Sequence, residues 1–170
     1  QGALAGITTM LFGVFTLYGF FCPCLNGACA TDAFAGMYNT SAIVVAIKNI
    51  LNIGVFIVLI QSMKWANSED QVIRRGEFYE LLLVTLFGMY LMISARHFLL
   101  FVIGLEAASL PLAAMVAFDK KRVESHEAAI KYILTAVFSS AVFLMGLSFV
   151  YALTGSLYFD AIAAKIAAEQ

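Results

Sequence analysis

The sequence predicts an all-α fold: a polytopic membrane helix bundle with five transmembrane helices. Three observations predict it. Of the residues, 62% are hydrophobic and 12% are charged, where soluble domains carry about 25% charged residues; the mean hydropathy is +0.92. The apolar residues gather in five runs. Residues 1–31 hold no charge, 42–63 only Lys48, 81–95 none, 98–118 only Glu106, and 128–159 only Lys131. Each run can form an apolar helix of roughly bilayer length, about 17–25 residues. None alternates polar and apolar positions as a barrel strand would.

The elements follow in order. Helix 1 is expected over 3–21. It lacks a basic leading region and opens Gln-Gly rather than Met, so it reads as an internal span and not a signal peptide. Helix 2 is expected over 38–63, helix 3 over 78–95, helix 4 over 97–118 and helix 5 over 127–154. The joint at 94–97 is so short that helices 3 and 4 should pack as antiparallel neighbours. Residues 1–155 therefore read as one membrane domain. In 156–170, Phe159, Ile162, Ala163 and Ile166 recur at helical spacing beside charged Asp160, Lys165 and Glu169. That pattern fits a short amphipathic helix, lying at the interface or packed over the helix ends.

Loop charge sets an expected orientation. Lys64, Arg74 and Arg75 follow helix 2, and Lys120, Lys121 and Arg122 follow helix 4, while the opposite side has Arg96 and Lys165. By the positive-inside rule, loops 64–77 and 119–126 face the cytoplasm. Net charge is −1 with no basic tail, which argues against a nucleic-acid partner.

Glu106 is the leading candidate for chemistry. It is a lone carboxylate near the middle of an apolar run. Such a group is costly to bury in a bilayer, so a proton-handling role outweighs the plainer reading of a structural contact. Pro111, five residues on, removes a backbone donor and loosens the preceding turn, although proline is common in membrane helices. Ser109 shares the Glu106 face. Lys131 is the second candidate. An isolated lysine near a helix end ordinarily snorkels to the headgroups, but Lys131, Thr135 and Ser139 recur at i, i+4 and i+8 as a polar stripe. With helix 5 starting at 127, Ser139 lies roughly 18 Å in, close to the depth of Glu106, and Lys131 roughly 12 Å from that depth. The stripe is thus a possible relay, and a direct Lys131–Glu106 salt bridge is not expected. Lys48 reads as a snorkelling lysine. Arg96 and His97 read as interface anchors, with proton exit a weaker role for His97. Cys22, Cys24 and Cys29 are disulfide candidates in an external loop, since three thiols make an incomplete metal site. No phosphate-binding glycine loop, catalytic triad or pair of haem-ligand histidines is legible, so no redox centre is expected in this chain.

Gly104-Leu105-Glu106, then Ser109-Leu110-Pro111, a basic loop, Glu127 to Tyr132 as EAAIKY, and Thr154 to Leu157 as TGSL form a long ordered pattern. Over about 77–168 it resembles the N subunit of proton-pumping NADH:quinone oxidoreductase, respiratory complex I, the counterpart of mitochondrial ND subunit two. The resemblance implies that Glu106 is the family's buried carboxylate and Lys131 the lysine on its next helix. It implies that the carboxylate works with a lysine on a broken helix later in the chain, and that 1–170 matches family helices two to six, a fragment. It also implies a multi-pass protein of the cell inner membrane whose partners are other membrane subunits, the lipid bilayer and protons. NAD, flavin, iron–sulfur clusters and quinone are expected on other subunits, with no cofactor in this chain. Leu105 stands where the related Mrp-type cation/proton antiporters and antiporter-like subunits usually carry Trp. An antiporter subunit and a purely structural membrane subunit remain the alternatives. Lys48 and the three cysteines are not family features and inherit no role.

Overall fold

The computed structural model describes residues 2–21, 34–66, 75–120 and 122–168. The cysteine loop, with Cys22, Cys24 and Cys29, lies outside the described residues, as do Arg74 and Lys121. Among the described residues six helices follow one another: α1 (Gly2–Phe21), α2 (Ala42–Ala66), α3 (Arg75–Ser94), α4 (Phe98–Val116), α5 (Val123–Thr154) and α6 (Phe159–Ala168). No strand occurs among the described residues, only two isolated bridges. The protein is an all-α polytopic membrane bundle. α2, α3, α4 and α5 are long and apolar enough to cross a bilayer, and the described side chains of α1 add a shorter apolar stretch over Gly6–Leu17.

Several boundaries differ from the sequence expectation, each for a local reason. α2 starts at Ala42 and not at 38. Ser41 caps it, its hydroxyl accepting from the Val44 N–H at 3.3 Å. Residues 37–39 instead run beside the α3–α4 joint: Asn39 N–H donates to Ser94 C=O at 2.9 Å, and Arg96 N–H to Met37 C=O at 2.7 Å. α3 starts at Arg75 and not at 78, and ends at Ser94, since Ala95 is drawn into the bridge with Tyr38. α4 runs Phe98–Val116, inside the expected 97–118, because His97 is its N-cap, extended, with Nδ1 accepting from Leu99 N–H at 3.1 Å. α5 begins at Val123, a turn before 127. Ser125 Oγ donates to Val116 C=O at 2.6 Å and ties that added turn to the end of α4. α5 ends at Thr154 and is capped by Gly155, whose φ of 69° is the left-handed conformation that favours glycine. α6 occupies 159–168 within the expected amphipathic segment.

The bundle is held most closely at α3 and α4, which pack antiparallel as backbone against backbone. A Cβ on Gly88 would lie 2.4 Å from the Ala108 nitrogen and 2.7 Å from the Ala107 carbonyl carbon. One on Gly104 would lie 2.6 Å from the Met92 nitrogen. Small residues thus let two membrane helices approach where apolar burial alone gives little drive. On the other side, Leu59 of α2 joins Tyr79 and Leu82 of α3 in a buried cluster, with Phe12 of α1 packed against it.

α6 closes one end. Phe98 N–H donates to Leu157 C=O at 3.0 Å and Phe159 N–H to Arg96 C=O at 3.1 Å. Arg96 pairs with Asp160 at 3.3 Å, and the Phe98 and Phe159 rings meet edge-on at 4.6 Å. Lys165 donates to the Thr154 carbonyl at 2.9 Å. The amphipathic helix is therefore packed over helix ends. Large apolar side chains along α5, among them Leu134, Phe138, Val142 and Leu153, are exposed, as a hydrocarbon-facing or partner-facing helix requires.

Candidate functional site

Glu106 lies eight residues into α4, about 12 Å from its Phe98 end. Its side chain is half-buried. Among the described residues no hydrogen bond or ion pair reaches the carboxylate. The local backbone is unusual. Pro111 sits buried within the helix and has no N–H to give to the Ala107 carbonyl, so one acceptor beside Glu106 loses its regular partner. Ser109 Oγ donates to the Glu106 main-chain carbonyl at 3.3 Å. Gly88 of α3 presses on Ala107 and Ala108 from the other side. The acid is thus positioned by a helix that is packed hard on one face and missing a hydrogen bond on the next turn.

Between α4 and α5 lies a crevice of about 490 Å³, bordered by Ser109 on α4 and by Ser139 and Ser140 on α5, with Phe101, Leu105 and Phe143 as apolar walls. Ser109 and Ser139 therefore share one cavity. The other expected relay residues are placed differently. Lys131 is exposed and its Nζ donates to Glu127 one turn before it, an i, i+4 pair. Thr135 turns its hydroxyl back to the Lys131 carbonyl at 2.8 Å. Lys131 and Glu106 make no contact. The earlier start of α5 also moves Ser139 to about 24 Å from the helix start, 16 residues after Val123. α5 has 32 residues, about 48 Å at the helical rise, which exceeds a hydrocarbon core of about 30 Å. Its first turns, with Glu127, lie towards the basic-loop end.

A second polar cluster joins α2, α3 and the segment before α2. Lys48 reaches toward that end of α2, but its ammonium stops on the Tyr38 hydroxyl at 2.9 Å. It also lies over two rings, 5.0 Å from the Tyr38 centroid and 5.5 Å from that of Tyr90. Tyr90 OH donates in turn to Asn52 Oδ1, and Asn52 is only 4% exposed. Burial pushes the Tyr38 hydroxyl up, but its hydrogen-bonding neighbours, Lys48 first, outweigh this and hold it below the ordinary tyrosine range. Reading the sequence did not find Glu127, Tyr38, Tyr90 or Asn52. Glu127–Lys131 and Lys48–Asn52 carry an i, i+4 signal; the two tyrosines carry none, because they meet Lys48 only through tertiary packing.

The family described as NADH:quinone oxidoreductase/Mrp antiporter, TM matches residues 95–169, which contain Glu106, Lys131 and both walls of the crevice. By fold and by this match the chain is of the antiporter-like membrane-subunit class. Within that class it is similar to subunit N of NADH-quinone oxidoreductase: 47% identical to that of Azobacteroides pseudotrichonymphae over 89% of this chain, and 50% identical to that of Phocaeicola vulgatus over 78% of it. The chain spans 29% of the former protein and 28% of the latter. A chain of respiratory complex I from Thermus thermophilus, solved with bound aureothin, superposes with a TM-score of 0.70 at 29% identity, covering 92% of this chain and 33% of that one. The resemblance carried by Gly104-Leu105-Glu106 and the residues after it therefore holds.

Proposed function

We propose that the chain is part of a proton-translocating membrane subunit of an NADH:quinone oxidoreductase. The complex is a translocating enzyme in which this chain carries no redox centre. The observation that carries the reading is the half-buried Glu106 carboxylate, without a side-chain partner among the described residues, at the turn that Pro111 loosens. A charge brought near a carboxylate in such a place changes how tightly it holds a proton. The carboxylate takes up a proton when a neighbouring cation is withdrawn and releases it when the cation returns. The crevice with Ser109, Ser139 and Ser140 supplies hydroxyls on the α5 side of α4. Lys131, Thr135 and Ser139 deliver protons from the cytoplasmic side, and Glu127 holds the Lys131 ammonium at the mouth of that stripe.

In this reading the protein spans the inner membrane several times, with loops 64–77 and 119–126 in the cytoplasm. It packs against other membrane subunits and lipid, and exchanges protons. Quinone, NAD, flavin and iron–sulfur clusters sit on other subunits. Cation/proton antiport of the Mrp type is the second reading, since the family matched at 95–169 includes those antiporters.

The test is Glu106→Gln in the full-length protein within the assembled complex, with NADH-driven proton uptake followed in everted vesicles at low and high sodium. Uptake should fall by about tenfold or more, as loss of a positioned proton-transfer group does, with assembly intact and no dependence on sodium. Unchanged uptake with normal assembly would overturn the proton role, and sodium-driven exchange without NADH would favour the antiporter.

A further inference from the structure

We propose that Lys48, Tyr38, Tyr90 and Asn52 form a proton-exchange ladder through the half of the membrane opposite the basic loops. This inference rests on the proton-translocating reading above. Counted along the helices, Tyr90 lies about 6 Å from the Ser94 end of α3, while Lys48 and Asn52 lie about 9 and 15 Å from the Ala42 end of α2. Asn52 is therefore within about 3 Å of the Glu106 depth. Tyr38 stands outside α2, at the helix end itself.

The groups are linked one to the next, from Asn52 at the deepest level to Tyr38 at the helix end. Buried Asn52 accepts from Tyr90 OH; the Lys48 ammonium lies over the Tyr90 and Tyr38 rings; and Nζ donates to Tyr38 OH at 2.9 Å. A lysine that merely snorkels extends freely into the headgroups. This one is stopped by a phenol that can itself release a proton. The transfer balances simply. An Nζ–H bond breaks as an O–H bond forms at Tyr38, and the phenol's own proton passes to water at the membrane surface. The neutral amine is recharged by a hydronium reaching Nζ from the membrane interior, whose O–H bond breaks as the Nζ–H bond forms, leaving water. Of the other charged groups described at this end, Arg96 and Asp160 are paired with each other at 3.3 Å, and Lys165 donates to the Thr154 carbonyl at 2.9 Å.

A proton carrier and a fixed charge differ in what arginine does. Lys48→Arg keeps the positive charge and its attraction to both rings, but a guanidinium does not release its proton. Tyr38→Phe keeps the ring and removes the acceptor. Both variants should be made in the full-length protein within the assembled complex, and NADH-driven proton uptake measured in everted vesicles beside Glu106→Gln. The ladder predicts about tenfold slower uptake in each with assembly retained. Normal uptake in Lys48→Arg or in Tyr38→Phe overturns the ladder. If Lys48→Arg does not assemble, Tyr38→Phe decides alone. Loss of uptake in Glu106→Gln with normal uptake in the other two removes only the ladder. Normal uptake in Glu106→Gln removes the proton-translocating reading itself.

Discussion

Glu106 and Lys48 are each the lone charge of an apolar run, yet the fold treats them differently. Glu106 has no side-chain partner among the described residues, whereas Lys48 has a hydroxyl and two rings. The sequence marks both positions, because a single charge among apolar residues is visible without any structure. It does not show what each charge meets. Tyr90 reaches Asn52 across 38 residues of chain, and no local spacing encodes that. The Lys48–Tyr38 contact has a spectroscopic consequence. Removing the ammonium by Lys48→Met leaves burial as the main influence on the phenol, so Tyr38 should ionise at higher pH than in the parent. The check is the difference between the ultraviolet pH titrations of each protein and its Tyr38→Phe derivative. Because the perturbed acidity of Tyr38 is a lowered one, its stabilising effect is present above the ordinary tyrosine range and is lost as pH falls through its own midpoint; neutral-pH stability should not register it. Lys131 makes a contrasting case. Its pair with Glu127 is exposed on both sides, so Glu127→Gln should change thermal stability by less than about 0.5 kcal/mol. A larger loss would mean that the pair is shielded in the assembled protein.

Among elements, the α3–α4 hairpin determines where Glu106 stands. Its tight joint at 94–97 is legible from the sequence, since so few residues can only connect adjacent helices. Its closest contact is less so. Gly88 and Gly104 are ordinary membrane-helix glycines until the backbones of Ala107–Ala108 and Met92 are seen against them. Gly88→Ala should push the helices apart at the turn that follows Glu106. Overpacking of this kind costs about 1–3 kcal/mol, and we expect lower thermal stability in detergent together with weaker proton uptake. Gly146→Ala, where an added Cβ meets nothing within 4 Å, serves as the control and should be neutral or slightly stabilising. The helix starts were harder to read than the spans. Residues 38–41 are uncharged and look like more of α2, but Tyr38 and Asn39 bond to the joint of α3 and α4, and Ser41 caps α2. The first turn of α5 contains Glu124, Ser125 and His126, so apolar patterning does not reveal it; the Ser125 bond to Val116 and the His126 ring beside the Lys120 carbonyl at 3.2 Å stabilise it.

For the whole molecule, membrane class was legible because five low-charge runs leave no soluble alternative, and the resemblance around Glu106 was legible because its residues are contiguous. Orientation is the larger-scale prediction that follows from loop charge. Arg122→Cys in a background with Cys22, Cys24 and Cys29 replaced by Ser should react with a membrane-impermeant maleimide in everted vesicles and not in intact cells. The opposite pattern would invert the assignment of the Lys131 stripe and the Lys48 ladder to their two sides. If Glu106 exchanges protons as a carboxylate, the number of protons taken up per NADH oxidised will separate Glu106→Gln from Glu106→Asp in vesicles at equal assembly. Asp should retain most of the parent ratio while Gln loses it. A Gln variant that matches the parent would leave Glu106 as a packing residue.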